Sequence, residues 1–131
     1  MFDRIISVLE GILGCPIRIY EEGQVEFFAP AVKEVVSSSD VVFYNPRMEF
    51  SRDVSICILQ TYQRLTGREM DLCEPLTSCG VRAVRWACEV PRVRSIVVGD
   101  INSRAAFLAN VNASCNRVLD KVEVFKTDAN L

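Results

Sequence analysis

The chain has 131 residues, of which 50% are hydrophobic, and a net charge of -2. That length suits one domain with a true core, since folding at this size removes roughly two-thirds of the chain's surface from water, and the apolar content excludes disorder. The near-balanced charge excludes binding of nucleic acid through overall basicity, so RNA contact requires a local patch or sequence outside this chain.

The absence of histidine excludes His-based triads and dyads. No secretory signal and no apolar run long enough for a bilayer are seen. The sequence reads as soluble and cytoplasmic, with no membrane partner.

The elements follow in chain order. Phe2, Ile5, Ile6, Leu9, Ile12 and Leu13 recur at helical spacing, and Gly14 and Pro16 end that helix. Ile17, Ile19, Val25 and Phe27 alternate with polar residues around Glu22-Gly23, a hairpin pattern. From Pro30 to Asp40, with Ser37, Ser38 and Ser39, the chain reads as a loop or linker. Ser51 is placed to cap a helix starting near Arg52, with Val54, Ile58, Tyr62 and Leu65 as its apolar face and Gly67 as its stop.

The rhythm then changes. Met70 to Glu74 reads as a short buried strand, Pro75 to Gly80 as a loop, and Val81 to Val90 as a helix stopped by Pro91. Ser95 to Val98 is a strand, Asn102 or Ser103 caps a helix to about Cys115, and Lys121 to Phe125 is another strand. This β-loop-α-β-α-β order predicts right-handed crossovers and a parallel sheet. The expected class is α/β, with an N-terminal helix, hairpin and linker over 1–42 and a sheet-containing part over 43–131.

Cys15, Cys57, Cys73, Cys79, Cys88 and Cys115 include no C-x-x-C pair, and without histidine a zinc site is not expected. Most lie in apolar periodic segments and read as small hydrophobes rather than as disulfides.

Ligands of open parallel sheets bind beyond the carboxyl ends of the strands. Three successive strands here end at or near an acid: Glu74, Asp100 and Asp128. Asp100 lies 20 residues after Gly80, about the spacing at which a second-strand carboxylate reaches a ribose. The loop Glu74-Pro75-Leu76-Thr77-Ser78-Cys79-Gly80 carries one glycine, whereas a dinucleotide's pyrophosphate wants G-x-G-x-x-G. S-adenosylmethionine has no phosphate and carries a sulfonium and an ammonium, which suit Glu74. Asp100 would take the ribose hydroxyls, and Asp128 the adenine amino group. Any one of these acids alone reads more simply as a helix cap; three in register favour a nucleoside cofactor.

One segment carries more. Phe43-Tyr44-Asn45-Pro46-Arg47-Met48-Glu49-Phe50-Ser51-Arg52-Asp53 resembles the signature that precedes the cofactor domain of the tRNA guanine-26 N2-dimethyltransferase family. Glu22 to Phe27, Gly80 to Arg85, Ala87 to Ile101, Asn110 to Asn112 and Asp128-Ala129-Asn130 are similar to further motifs of that family, in order. The resemblance covers about Glu21 to Leu131 and implies a Rossmann-like methyltransferase fold that uses S-adenosylmethionine to methylate the exocyclic amine of a tRNA guanine.

By matched position it implies cofactor contacts at Arg52, Arg82, Asp100, Asp128 and Ala129, to which the reading of the strand ends and the first loop adds Glu74 and Gly80. Arg52 would pair with the methionine carboxylate, and Arg82 would sit at a helix start that favours an anion. Arg47 fits a place near the substrate or a loop ion pair equally well. Pro75 and Cys79 stand where the family has small residues, and Ser51 where it has Asn.

The family's D-P-F-G catalytic motif and its C-terminal RNA-binding domain would lie beyond Leu131, so no catalytic residue is expected within this chain. The expected function is the N-terminal, cofactor-binding part of such an enzyme, with tRNA bound mainly by the missing part. Two alternatives stand beside it: a non-catalytic cofactor-binding or interaction module, and one subunit of a split methyltransferase whose C-terminal half is encoded separately.

Overall fold

A computed structural model describes residues 1–35, 37 and 40–130. Ser38 and Ser39 of the expected linker, and Leu131, lie outside the described residues.

Helix α1 (Phe2–Leu13) ends where Gly14 turns left-handed at φ 71°, and it buries Leu9 and Leu13. Strands β1 (Ile17–Glu22) and β2 (Val25–Pro30) form the antiparallel hairpin. Gly23 opens its two-residue turn at φ 55°, as the twist of paired strands favours.

Helix α2 (Glu49–Thr66) differs from expectation in two ways. It starts at Glu49, not near Arg52, because the 3-10 turn Pro46–Met48 feeds into it. Asn45 caps that turn, its side chain accepting from the Arg47 amide, with Pro46 at the first position. Ser51 caps nothing. The buried face is also another one: Arg52, Ile56 and Gln63 are buried, while Ile58 and Leu65 are 61% and 81% exposed. Val54 and Tyr62 are exposed with them. The inward stripe runs at i, i+4, i+11, with the half-buried Leu59 completing it. It was masked in the sequence because its two ends are polar.

Strands β3 (Met70–Glu74), β4 (Val93–Asp100) and β5 (Val122–Lys126) form a parallel sheet in that order. Helices α3 (Val81–Glu89) and α4 (Ser103–Cys115) make the crossovers, and Asn102 caps α4 through the Arg104 amide. The β4 strand is longer at both ends than Ser95 to Val98. Ile96, Val98 and Val122 face inward to α3 and α4; on the other face Cys73, Val97 and Phe125 stay exposed.

One apolar cluster joins Leu9, Leu13, Phe27 and Phe28 of the N-terminal elements to Val84, Ile96 and Leu108. Asn112, fully buried on α4, ties the two regions. Its Oδ1 accepts from the Phe28 amide at 2.7 Å, and its Nδ2 donates to the carbonyls of Phe28 and Cys79. The six cysteines are free. Only Cys79 is buried; Cys57, Cys73, Cys88 and Cys115 are exposed, so most are not the core hydrophobes expected, because the helices turn Cys57, Cys88 and Cys115 outward and Cys73 points to the uncovered face of β3.

Candidate cofactor site

The parallel register sets three strand ends side by side. Glu74 pairs with Val98 of β4, and Asp100 with Lys126 of β5. Glu74, Asp100 and Asp128 therefore stand along one edge of the sheet, as the sequence predicts.

The loop between β3 and α3 is stapled across that edge. The Thr77 amide donates to the Gly99 carbonyl, and the Ser78 amide to Asp100 Oδ2 at 2.9 Å. Ser78 holds φ 52°, a left-handed conformation uncommon for a non-glycine residue. Its hydroxyl donates to the Phe43 carbonyl. Asn102 Nδ2 donates to the Val41 carbonyl, so segment 41–45 is drawn over the same edge.

Asp100 thus does the work of a turn residue: Oδ1 accepts from the Asn102 amide and Oδ2 from the Ser78 amide. A carboxylate has about four acceptor sites, so these two bonds leave acceptor capacity on both oxygens. Asp128 Oδ1 accepts from the Asn130 amide and Nδ2. Ala129 follows it, exposed.

A cavity of about 100 Å³ opens beside the loop, and Arg52, Glu74 and Arg82 line it together with Tyr44 and Ser78. Arg82 Nε lies 3.2 Å from Glu74 Oε1, and Thr77 Oγ1 donates to Glu74 Oε2. Burial nevertheless pushes Glu74 up to about 7, against the opposing effects of Thr77 and Arg82. Within the range of neutral pH this group can change charge.

Arg52 departs from a simple anion receptor. It is 5% exposed, and Nε and Nη2 both donate to Glu22 at the end of β1, at 2.7 and 2.5 Å. Nη2 also donates to the Asn45 carbonyl. Most of its fork is held from within, and among the described residues Nη1 makes no hydrogen bond. Gly80 has a packing reason for its identity: at φ 81°, an added Cβ would stand 2.8 Å from the Ala109 Cβ and 2.9 Å from its Cα. Its role here is the close approach of α3 to α4. Arg47 is placed in the 3-10 turn before α2.

Three residues at the site were missed in the sequence. Glu22, 3% exposed, accepts from Tyr44 Oη and Arg52 and lies 3.6 Å from Arg85 Nη1. Arg85 is buried too, between Glu22, Asp53 and Glu89, which hold its charge firmly. Asn112 reaches the loop at Cys79. A signal did exist for Glu22, an acid closing an apolar strand immediately before glycine, but its partner lies 30 residues on.

Residues 23–131 match the family described as N2,N2-dimethylguanosine tRNA methyltransferase. The tRNA (guanine(26)-N(2))-dimethyltransferase of Methanosphaera stadtmanae is 36% identical over 113 residues, which cover 86% of this chain and 28% of that protein. The tRNA (guanine(26)-N(2)/guanine(27)-N(2))-dimethyltransferase of Aquifex aeolicus is 32% identical over 115 residues, covering 87% and 29%. The chain spans less than a third of the length of these curated relatives. Among solved structures, Trm1 from Pyrococcus horikoshii with S-adenosyl-L-methionine aligns with TM-score 0.68 at 23% identity, over 86% of this chain and 31% of that one. Methanocaldococcus jannaschii Trm5 in complex with adenosine aligns with TM-score 0.65 at 16% identity, over 86% and 30%. Both likenesses are of fold.

Proposed function

The chain belongs to the N2,N2-dimethylguanosine tRNA methyltransferase family, and from that premise we propose that it is the S-adenosylmethionine-binding part of a tRNA guanine N2-dimethyltransferase. The observation that carries this reading is the row of Glu74, Asp100 and Asp128 at three adjacent parallel strand ends, beside a cavity lined by Arg52, Glu74 and Arg82.

The residues fit the group. Glu74 can offer a carboxylate to a sulfonium or ammonium. Asp100 keeps acceptor capacity for ribose hydroxyls, and Asp128, with Ala129 beside it, flanks the position for adenine. Arg52 and Arg82 supply positive charge for the methionine carboxylate, Arg52 through Nη1. S-adenosylmethionine, when bound, supplies an electrophilic methyl group. The residues of this chain bind and orient the donor.

In this reading residues 1–42 brace the site and residues 43–131 bind the donor. Deprotonation of the guanine amine and most tRNA contact belong to the remaining length found in the relatives. The exposed sheet face with Cys73, Val97 and Phe125 supports that division, because parallel sheets are normally covered on both faces. A tRNA substrate supports a cytoplasmic enzyme; no helix among the described residues is long and apolar enough to cross a membrane.

Titration calorimetry with S-adenosylmethionine tests the reading. Saturable binding that weakens at least tenfold in Asp100→Ala is expected. No heat of binding at millimolar ligand refutes it.

A further inference from the structure

We propose that Glu22, on the N-terminal hairpin, is a positioning residue for cofactor recognition: it holds the Arg52 guanidinium so that Nη1 is presented to the ligand's carboxylate. This rests on the reading of the cavity as the methionine end of a donor site.

The geometry is specific. Glu22 grips one edge of the guanidinium with both oxygens, Oε2 on Nε and Oε1 on Nη2. Tyr44 Oη donates to Oε1 at 2.9 Å and sets the carboxylate in place. The Asn45 carbonyl takes a further Nη2 proton, at 3.2 Å. With that edge occupied, Nη1 is what remains of the fork to meet the cavity that Arg52 lines.

A second carboxylate explains why such a clamp matters. Glu74 lines the same cavity, and the Arg52 charge already lowers its proton affinity. Without Glu22, Arg52 would be a buried cation with Glu74 as a ready partner. Pairing with Glu74 would remove Arg52 from the ligand carboxylate and neutralise the acid meant for the ligand's positive end. Glu22 keeps the two apart. It also makes the hairpin, some 50 residues before the first cofactor loop, a determinant of ligand selectivity.

The test compares two ligands in calorimetry: S-adenosylmethionine, and decarboxylated S-adenosylmethionine, which retains adenine, ribose, sulfonium and ammonium but lacks the carboxylate. Wild type should prefer the carboxylated ligand. Glu22→Gln should weaken S-adenosylmethionine about tenfold and change the decarboxylated ligand by less than twofold, collapsing the preference. A merely structural role would weaken both alike, and that result overturns the proposal, as does no change in either. Glu22→Asp keeps the charge on a shorter arm and should lose part of the preference. If Glu22→Gln does not fold, an unchanged preference in Glu22→Asp overturns the proposal. If wild type binds neither ligand, the reading of the site itself fails; if wild type binds both and the preference survives in the variants, only the role of Glu22 fails.

Discussion

Asn112→Ala removes the side chain that joins the hairpin to the cofactor loop, and its cost can be worked from the structure. Three buried hydrogen bonds go, two to Phe28 and one to Cys79. At a net value of about 1 kcal/mol each they account for ~3 kcal/mol, and the Phe28 amide, left buried without a partner, adds about 1 kcal/mol more. A loss of about 4 kcal/mol is a large part of the ~5–15 kcal/mol that stabilises a typical domain. In a domain of this size it lowers Tm by roughly 10–15 °C. Urea unfolding, followed by far-UV circular dichroism and by the fluorescence of Trp86, the only tryptophan, measures it. Asn112→Asp should cost at least as much, since it keeps one acceptor but turns a carboxylate toward two carbonyls. A loss below about 1 kcal/mol in Asn112→Ala would refute the reasoning, because the three buried bonds would then add little to the apolar contacts and the Glu22 ion pairs that also hold the hairpin.

Three further outcomes are expected. Glu74 titrates near 7 in the folded chain against 4.5 unfolded, so the folded state binds more protons between these values, and stability falls as pH rises through them by about 3 kcal/mol. With no histidine in the chain, urea midpoints between pH 5 and 8 should show that fall in wild type and lose it in Glu74→Gln; equal slopes would count against the buried acid. Gly80→Ala combines a positive φ with a 2.8 Å clash on Ala109 and should cost more than about 2 kcal/mol by the same unfolding assay; near-neutrality would show that α3 and α4 can separate. On α2, Ile56→Ala should cost about 2–4 kcal/mol, whereas Ile58→Ser, on the exposed face, should stay within about 0.5 kcal/mol; the opposite order would restore the face inferred from the apolar spacing.

That exchange of faces shows where sequence reading stops. The bounds of β3 were legible because a helix-stopping Gly67 and the loop-opening Pro75 frame it, but it is not the buried strand expected: only Met70 is buried, while Asp71 and Cys73 are exposed on a sheet face that nothing covers among the described residues. The hairpin was legible for the same local reasons, alternation and a glycine turn. The α2 face was not, since Arg52 and Gln63 look like solvent-facing positions until Glu22 is brought against Arg52 from 30 residues away. Asn112 is farther removed still, 84 residues from Phe28, and within an alanine-rich helix its amide resembles a surface residue. The acids at the strand ends were readable because strand order fixes their place. Their hydrogen bonds were not, since Ser78 reaches Asp100 only once the loop folds back across β4. Local periodicity supplies the elements; the polar clamps that orient the site are long-range and appear only with the fold.

Whether the carboxyl edge of the three-stranded sheet holds S-adenosylmethionine is decided by an amide-resolved NMR titration of the chain with that ligand. Saturable shifts concentrated at residues 74–82, 100–102 and 128–129 are expected, with little change on α1. Saturable shifts centred elsewhere, or none at millimolar ligand, would contradict it.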